Sequence, residues 1–155
     1  MLPMAPAAPA GSDAPRSERS IFSNGMTNTT AVRLAAIMGF LAVALGAFGA
    51  HGLENILKAN ETAEIWKTAV FYHFIHTVML FVLAQRQPVR SGPWWSFFVG
   101  IVIFSGSLYL LAVTKVPWLG AITPIGGVAF LVGWLWLVFS VGQTASADHG
   151  EADQD

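Results

Sequence analysis

Three histidines, His51, His73 and His76, offer the most chemistry in this chain, and two of them sit three residues apart in the run VFYHFIHT. That spacing puts His73 and His76 on one face of a helix. Imidazole changes charge near neutral pH, so the pair suits a proton relay, and with Glu54 a proton or ion path. Kept neutral, the same rings are hydrogen-bonding ties to Tyr72, Tyr109, Ser105, Ser107 or Thr123. In both readings His51 and His76 face the bundle interior, because a polar ring facing lipid loses its hydrogen bonds, and in the second Tyr72 or Tyr109 is the partner of His76. A compact tetrahedral metal site needs a helix end to bend inward, since the three histidines lie at different depths, and opposed axial haem ligands are not evident. No metal and no cofactor is therefore expected. Neither paired carboxylates nor a Ser, His and acid set is present, and GAFGAHG closes an apolar run instead of joining a strand to a helix, so it is no dinucleotide fingerprint. The absence of cysteine excludes disulfides, thiolate metal sites and thiol nucleophiles.

The elements that hold these residues follow from composition. Of 155 residues, 54% are hydrophobic and only 11% charged, against roughly 25% charged in a soluble domain. The partner this demands is a lipid bilayer. Eight Lys and Arg nearly balance nine Asp and Glu without a basic cluster, so no nucleic acid is expected. Four apolar runs, about 31–50, 66–85, 95–113 and 118–141, are each long enough to cross a hydrocarbon core of about 30 Å at ~1.5 Å per residue. The linker after His51 carries Glu54, Lys58, Glu61 and Glu64, with Asn60 as a helix cap. Trp66, Trp94 and Trp95 mark interfaces. The turn at Thr114 to Pro117 sends the fourth span back beside the third, and Pro124 should kink that span. The fold class is all-α integral membrane, with four transmembrane helices as two antiparallel hairpins.

Residues 1–30, rich in Pro, Ala and Ser, read as a disordered tail, 31–142 as the four-helix transmembrane domain, and 143–155 as an acidic disordered tail. Met26 stands just before the first apolar run as an alternative start. Arg16, Arg19, Arg33, Arg86 and Arg90 fall on the side of both termini, against Lys58, Lys67 and Lys115, which favours both ends inside; a start at Met26 reduces this to three against three. Ala35, Gly39, Ala42, Gly46 and Gly49 recur at steps of four and three, a smooth face for a neighbouring helix, and Gly126, Gly127, Ala129 and Gly133 offer a second.

GAFGAHG, YHFIH, FSGSLYLLA and TPIGGVAFLVGW, in that order, closely resemble a family of small four-span membrane proteins of bacterial inner membranes and of eukaryotes that has no established function. The resemblance covers about residues 31–142. It implies a compact four-helix domain, placed in the bacterial inner membrane or the mitochondrial inner membrane of a eukaryote. It directs attention to Gly46, Gly49, His51, Tyr72, His76, Ser105, Gly106, Tyr109, Pro124, Gly126 and Gly127, with His73 a looser part of the pattern. Two functional readings stand. One is a non-enzymatic accessory or assembly component that packs against itself or a larger membrane complex, since its loops are too short to hold a soluble active site. The alternative is a small oligomeric transporter or proton and ion conductor using the intramembrane histidines and the interrupted fourth helix.

Overall fold

The computed structural model describes residues 26–86 and 88–140; of the expected tails 1–30 and 143–155, residues 1–25 and the whole C-terminal tail lie outside the described residues. The described chain is all helical. In order come α1 (Asn28–His51), a short α2 (Glu54–Ala59), α3 (Ala63–Ala84), α4 (Ser91–Gly100), a π-helical segment (Ile101–Ser105), α5 (Gly106–Thr114) and α6 (Trp118–Ser140). The stretch from Ser91 to Thr114 is one membrane-length rod, so four helices are long and apolar enough to span a bilayer.

Helix ends are set by local chemistry. α1 starts at Asn28, inside the segment expected to be tail, because the Thr27 hydroxyl accepts from the Thr30 amide at 3.3 Å. α3 begins after Thr62, and Asn60 does not cap it. The Asn60 amide instead donates to the carbonyls of Ala112 and Val113 at 3.2 and 3.0 Å, and Thr62 Oγ1 donates to Ala112 at 2.6 Å. These side chains satisfy carbonyls that the end of α5 leaves without helical partners. At the opposite face Arg90 donates to the Ser140 carbonyl at 3.2 Å and closes α6. Glu61 and Lys115 sit in the left-handed region, at φ 57° and 55°, where the chain reverses.

The helices form an open row. α1 packs on α2 and α3, α3 on the third span, and the third span on α6; α1 and α6 lie on opposite flanks. Two apolar clusters occupy the two ends. Ala31, Ala35, Leu80, Leu83, Ala84, Trp94, Phe97, Ile101 and Phe130 form one, and Leu57, Trp66 and Ala112 the other. Buried polar side chains among the described residues are Thr62, His73, His76, Thr77, Ser105, Ser107 and Thr123.

α6 runs on through Pro124 as one helix, and the third span contains the π-helical segment, which its sequence does not announce. Proline removes one donor, yet an α-helix in an apolar setting persists when its neighbours hold it on both sides of the gap.

Candidate functional site

His76 lies where α3, the third span and α6 meet. Its Nδ1 faces the Tyr72 carbonyl at 2.9 Å and its Nε2 faces Trp134 Nε1 at 3.3 Å. A carbonyl only accepts and an indole N–H only donates, so Nδ1 carries the proton and Nε2 accepts. The geometry thus selects one neutral tautomer. A second proton, on Nε2, would point at the Trp134 N–H and break that bond. The ring lies flat on Phe130, centroids 3.6 Å apart and planes within 11°, with Phe97 at 5.6 Å and Tyr72 stacked at 5.9 Å. Tyr72, His76, Phe104, Pro124, Phe130 and Trp134 line a lipid-facing groove of about 440 Å³.

The backbone makes this junction through small residues. A Cβ on Gly126 would meet Phe104 N at 2.4 Å, and one on Gly133 would meet the Phe97 ring at 2.7 Å, so α6 approaches the third span at backbone distance. Gly127 has only the Phe104 ring, at 3.8 Å. Ser96 Oγ donates to the Ala129 carbonyl at 2.7 Å, and the hydroxyls of Ser107 and Thr123 meet at 2.8 Å. Bonds of this kind hold membrane helices together where burial of apolar area adds little.

His73 points the other way. Its Nδ1 lies 3.3 Å from the Tyr109 hydroxyl, and the Tyr109 ring packs on Trp66 with centroids 4.7 Å apart. Trp66 is buried and donates to the Leu45 carbonyl at 3.1 Å. A Cβ on Gly49 would fall 2.0 Å from Trp66 Nε1, so this glycine makes room for the indole. Gly39 and Gly46 lie along the same face, where a Cβ would stand 3.6 Å from Thr77 Cγ2 and 3.4 Å from Val70 Cγ1, both within tolerance.

Several sequence expectations need correction. His51 is exposed at the end of α1 and does not face the bundle interior, because the helix ends there and the ring reaches water. Glu54 is exposed and paired with Lys58. The Lys58 hydrogen bond and charge hold its carboxyl below the usual range, and it bonds neither His73 nor His76. The side chain that bonds His76 is Trp134; Tyr72 contributes its carbonyl and Tyr109 bonds His73 instead. Trp66 and Trp94 are packed into the protein, Trp94 with no exposed surface and its Nε1 donating to the Leu80 carbonyl at 3.1 Å, while Trp95 is exposed; all three stand near the starts of their spans. Phe130 and Trp134, spaced four apart on α6, were detectable as one helix face, but nothing in their types pointed at a histidine on α3.

A profile described as "Protein of unknown function (DUF423)" matches residues 45–127. The chain is 50% identical over 111 residues to the UPF0382 membrane protein YwdK of Bacillus subtilis, covering 68% of this chain and 89% of that one. It is 49% identical over 109 residues to the UPF0382 membrane protein SSP2132 of Staphylococcus saprophyticus, covering 68% and 90%. With the UPF0382 inner membrane protein YgdD of Escherichia coli K12 it shares 43% over 114 residues, 70% of this chain and 86% of that one. No solved structure matches. Matched across all of its second and third spans and parts of its first and fourth, the chain belongs to this uncharacterised family and is a multi-pass inner-membrane protein.

Proposed function

We propose that the protein is a non-enzymatic accessory or assembly component, acting through helix contacts with a larger membrane complex or with further copies of itself. The observation that carries this reading is His76: both ring nitrogens are committed to the fold, one to the Tyr72 carbonyl and one to Trp134. The ring therefore serves α3 and α6 as a tie, and a proton passing through it would first have to break that tie. The short connections support the same reading, since only α2 and brief turns lie between the described spans. The open row leaves α1 and α6 each packed on one side alone, with Phe40, Val43 and Phe48 on α1, and Ile125, Leu131 and Leu135 on α6, exposed as apolar surface for lipid or a neighbouring helix.

The test is purification in mild detergent at native expression level, followed by mass spectrometry and an absorption spectrum. A stoichiometric membrane partner or a defined homo-oligomer without visible absorption is expected. The competing transporter or conductor reading draws on His73, whose Nε2 is buried without a hydrogen-bond partner among the described residues. Pure protein that moves protons or ions across liposomes, and stops doing so with His76→Gln, would overturn the accessory reading.

A further inference from the structure

Between the two apolar clusters lie three buried polar atoms with no hydrogen-bond partner among the described residues: His73 Nε2, Thr77 Oγ1 and Ser105 Oγ. Their side chains are 4%, 5% and 1% exposed. His73 and Thr77 stand one turn apart on the same face of α3. The contact of Tyr72 with Phe104, 4.7 Å between centroids, the contact of His76 with Phe97 and the bond from Trp94 to Leu80 set α3 and the third span in antiparallel register, with Ser105 within about one helical turn of His73. α1 closes the third side, with Gly39 against Thr77 and the Met38 backbone near the His73 ring. All three groups lie about 10–15 Å along the helix axis from the nearer end of their spans, at ~1.5 Å per residue. At that depth no bulk water reaches them, and an unpaired polar group in hydrocarbon is costly.

We propose that this junction of α1, α3 and the third span is a water-binding site, holding one or two water molecules between His73, Thr77 and Ser105. The chemistry of the donor set selects the ligand. Two hydroxyls each donate and accept, and the imidazole nitrogen takes the role its tautomer leaves, so the occupant must do both. It must also be neutral: the acidic residues of α3 stop at Glu64 in its first turn, and no group of three metal-ligating side chains exists among the described residues. Water meets both conditions with the two to four polar partners a buried water requires. The π-helical segment is an independent pointer. It ends at Ser105, and its wider turn opens the α-helical ladder where the Ser105 hydroxyl sits, a device found at polar sites inside otherwise regular helices. The site does not depend on the role proposed above for the whole protein.

The experiment is water-edited solid-state NMR on the full chain in bilayers with labelled histidine, the resonances assigned through single histidine variants. Transfer from water to His73 is expected at a rate near that of exposed His51, and well above that of His76, whose nitrogens are both bonded to protein. Absence of transfer to His73 in the wild type would overturn the site without bearing on membrane partners. Ser105→Ala and Thr77→Val add a test by sign. In a water-bridged site each removes a bonded group, lowers the melting midpoint in detergent and weakens the His73 transfer. In a dry site each removes a costly unpaired hydroxyl, so a raised midpoint would also refute the proposal. Should either variant fail to fold, the wild-type transfer decides alone.

Discussion

At the scale of single residues, the tie between His76 and Trp134 makes a sharp prediction. Trp134→Phe keeps the ring on α6 but removes the indole N–H, leaving His76 Nε2 without its donor. The cost should be about 0.5–1.5 kcal/mol, the range for interhelical hydrogen bonds in membranes, read as a lower unfolding midpoint in detergent. His76→Gln keeps an acceptor and donors at the same reach and should preserve the folded yield; a conductor would instead lose flux in liposomes with its fold intact. The histidines were legible as interior candidates because an ionisable group in an apolar run has few other places to go. Their partners were not. Trp134 lies 58 residues from His76 along the chain, and no periodicity in either helix says which residues of two spans will meet. His51 was misjudged for a related reason: one helical turn separates a buried terminal residue from an exposed one, and sequence boundaries are no finer than that.

At the scale of helices, glycines of similar appearance differ in what they permit. Gly126→Ala drives a Cβ into the Phe104 backbone, which cannot step aside as a side chain can, so about 1–3 kcal/mol should be lost. Gly127→Ala, its neighbour, meets ordinary contact and should be close to neutral. Comparing folded yield and thermal midpoint of the two variants in one detergent tests this, and equal loss would mean α6 does not seat on the third span as described. The small-residue stripes were visible in the sequence, but the ranking within them depends on what stands opposite: Trp66 for Gly49, the Val70 methyl for Gly46. Lys115 gives a prediction of the other sign. Its left-handed φ of 55° ends α5 where glycine is usually favoured, so Lys115→Gly should stabilise by roughly 0.5–1 kcal/mol in the folded state, less what the unfolded chain regains in entropy. The π-helical segment escaped the sequence because IVIFS suits a regular membrane helix equally well; the extra residue in that turn is absorbed by packing, not announced by composition.

At the scale of the whole molecule, four spans and their order were legible because hydrocarbon leaves the backbone so few options. The open row was not, since lipid-facing and protein-facing apolar surfaces use the same residues. An even number of spans predicts both ends on one side, and Arg16, Arg19, Arg33, Arg86 and Arg90 there against Lys58, Lys67 and Lys115 opposite favour the cytoplasm for that side. Reporter fusions at the C-terminus and in the turn at Lys115 should therefore report opposite sides, with the C-terminus inside. The row also imposes a timetable on synthesis. The backbone of α1 packs chiefly on α3, and α3 ends 33 residues after α1 does, from His51 to Ala84. At about 5–20 residues per second, the first helix waits roughly 2–7 s in the bilayer with no protein neighbour beyond its own short successor. It is suited to the wait, carrying Arg33 at its start and no other Lys, Arg, Asp or Glu. α6 has no such interval: the span it approaches at backbone distance is the one directly before it, already in place when α6 is made.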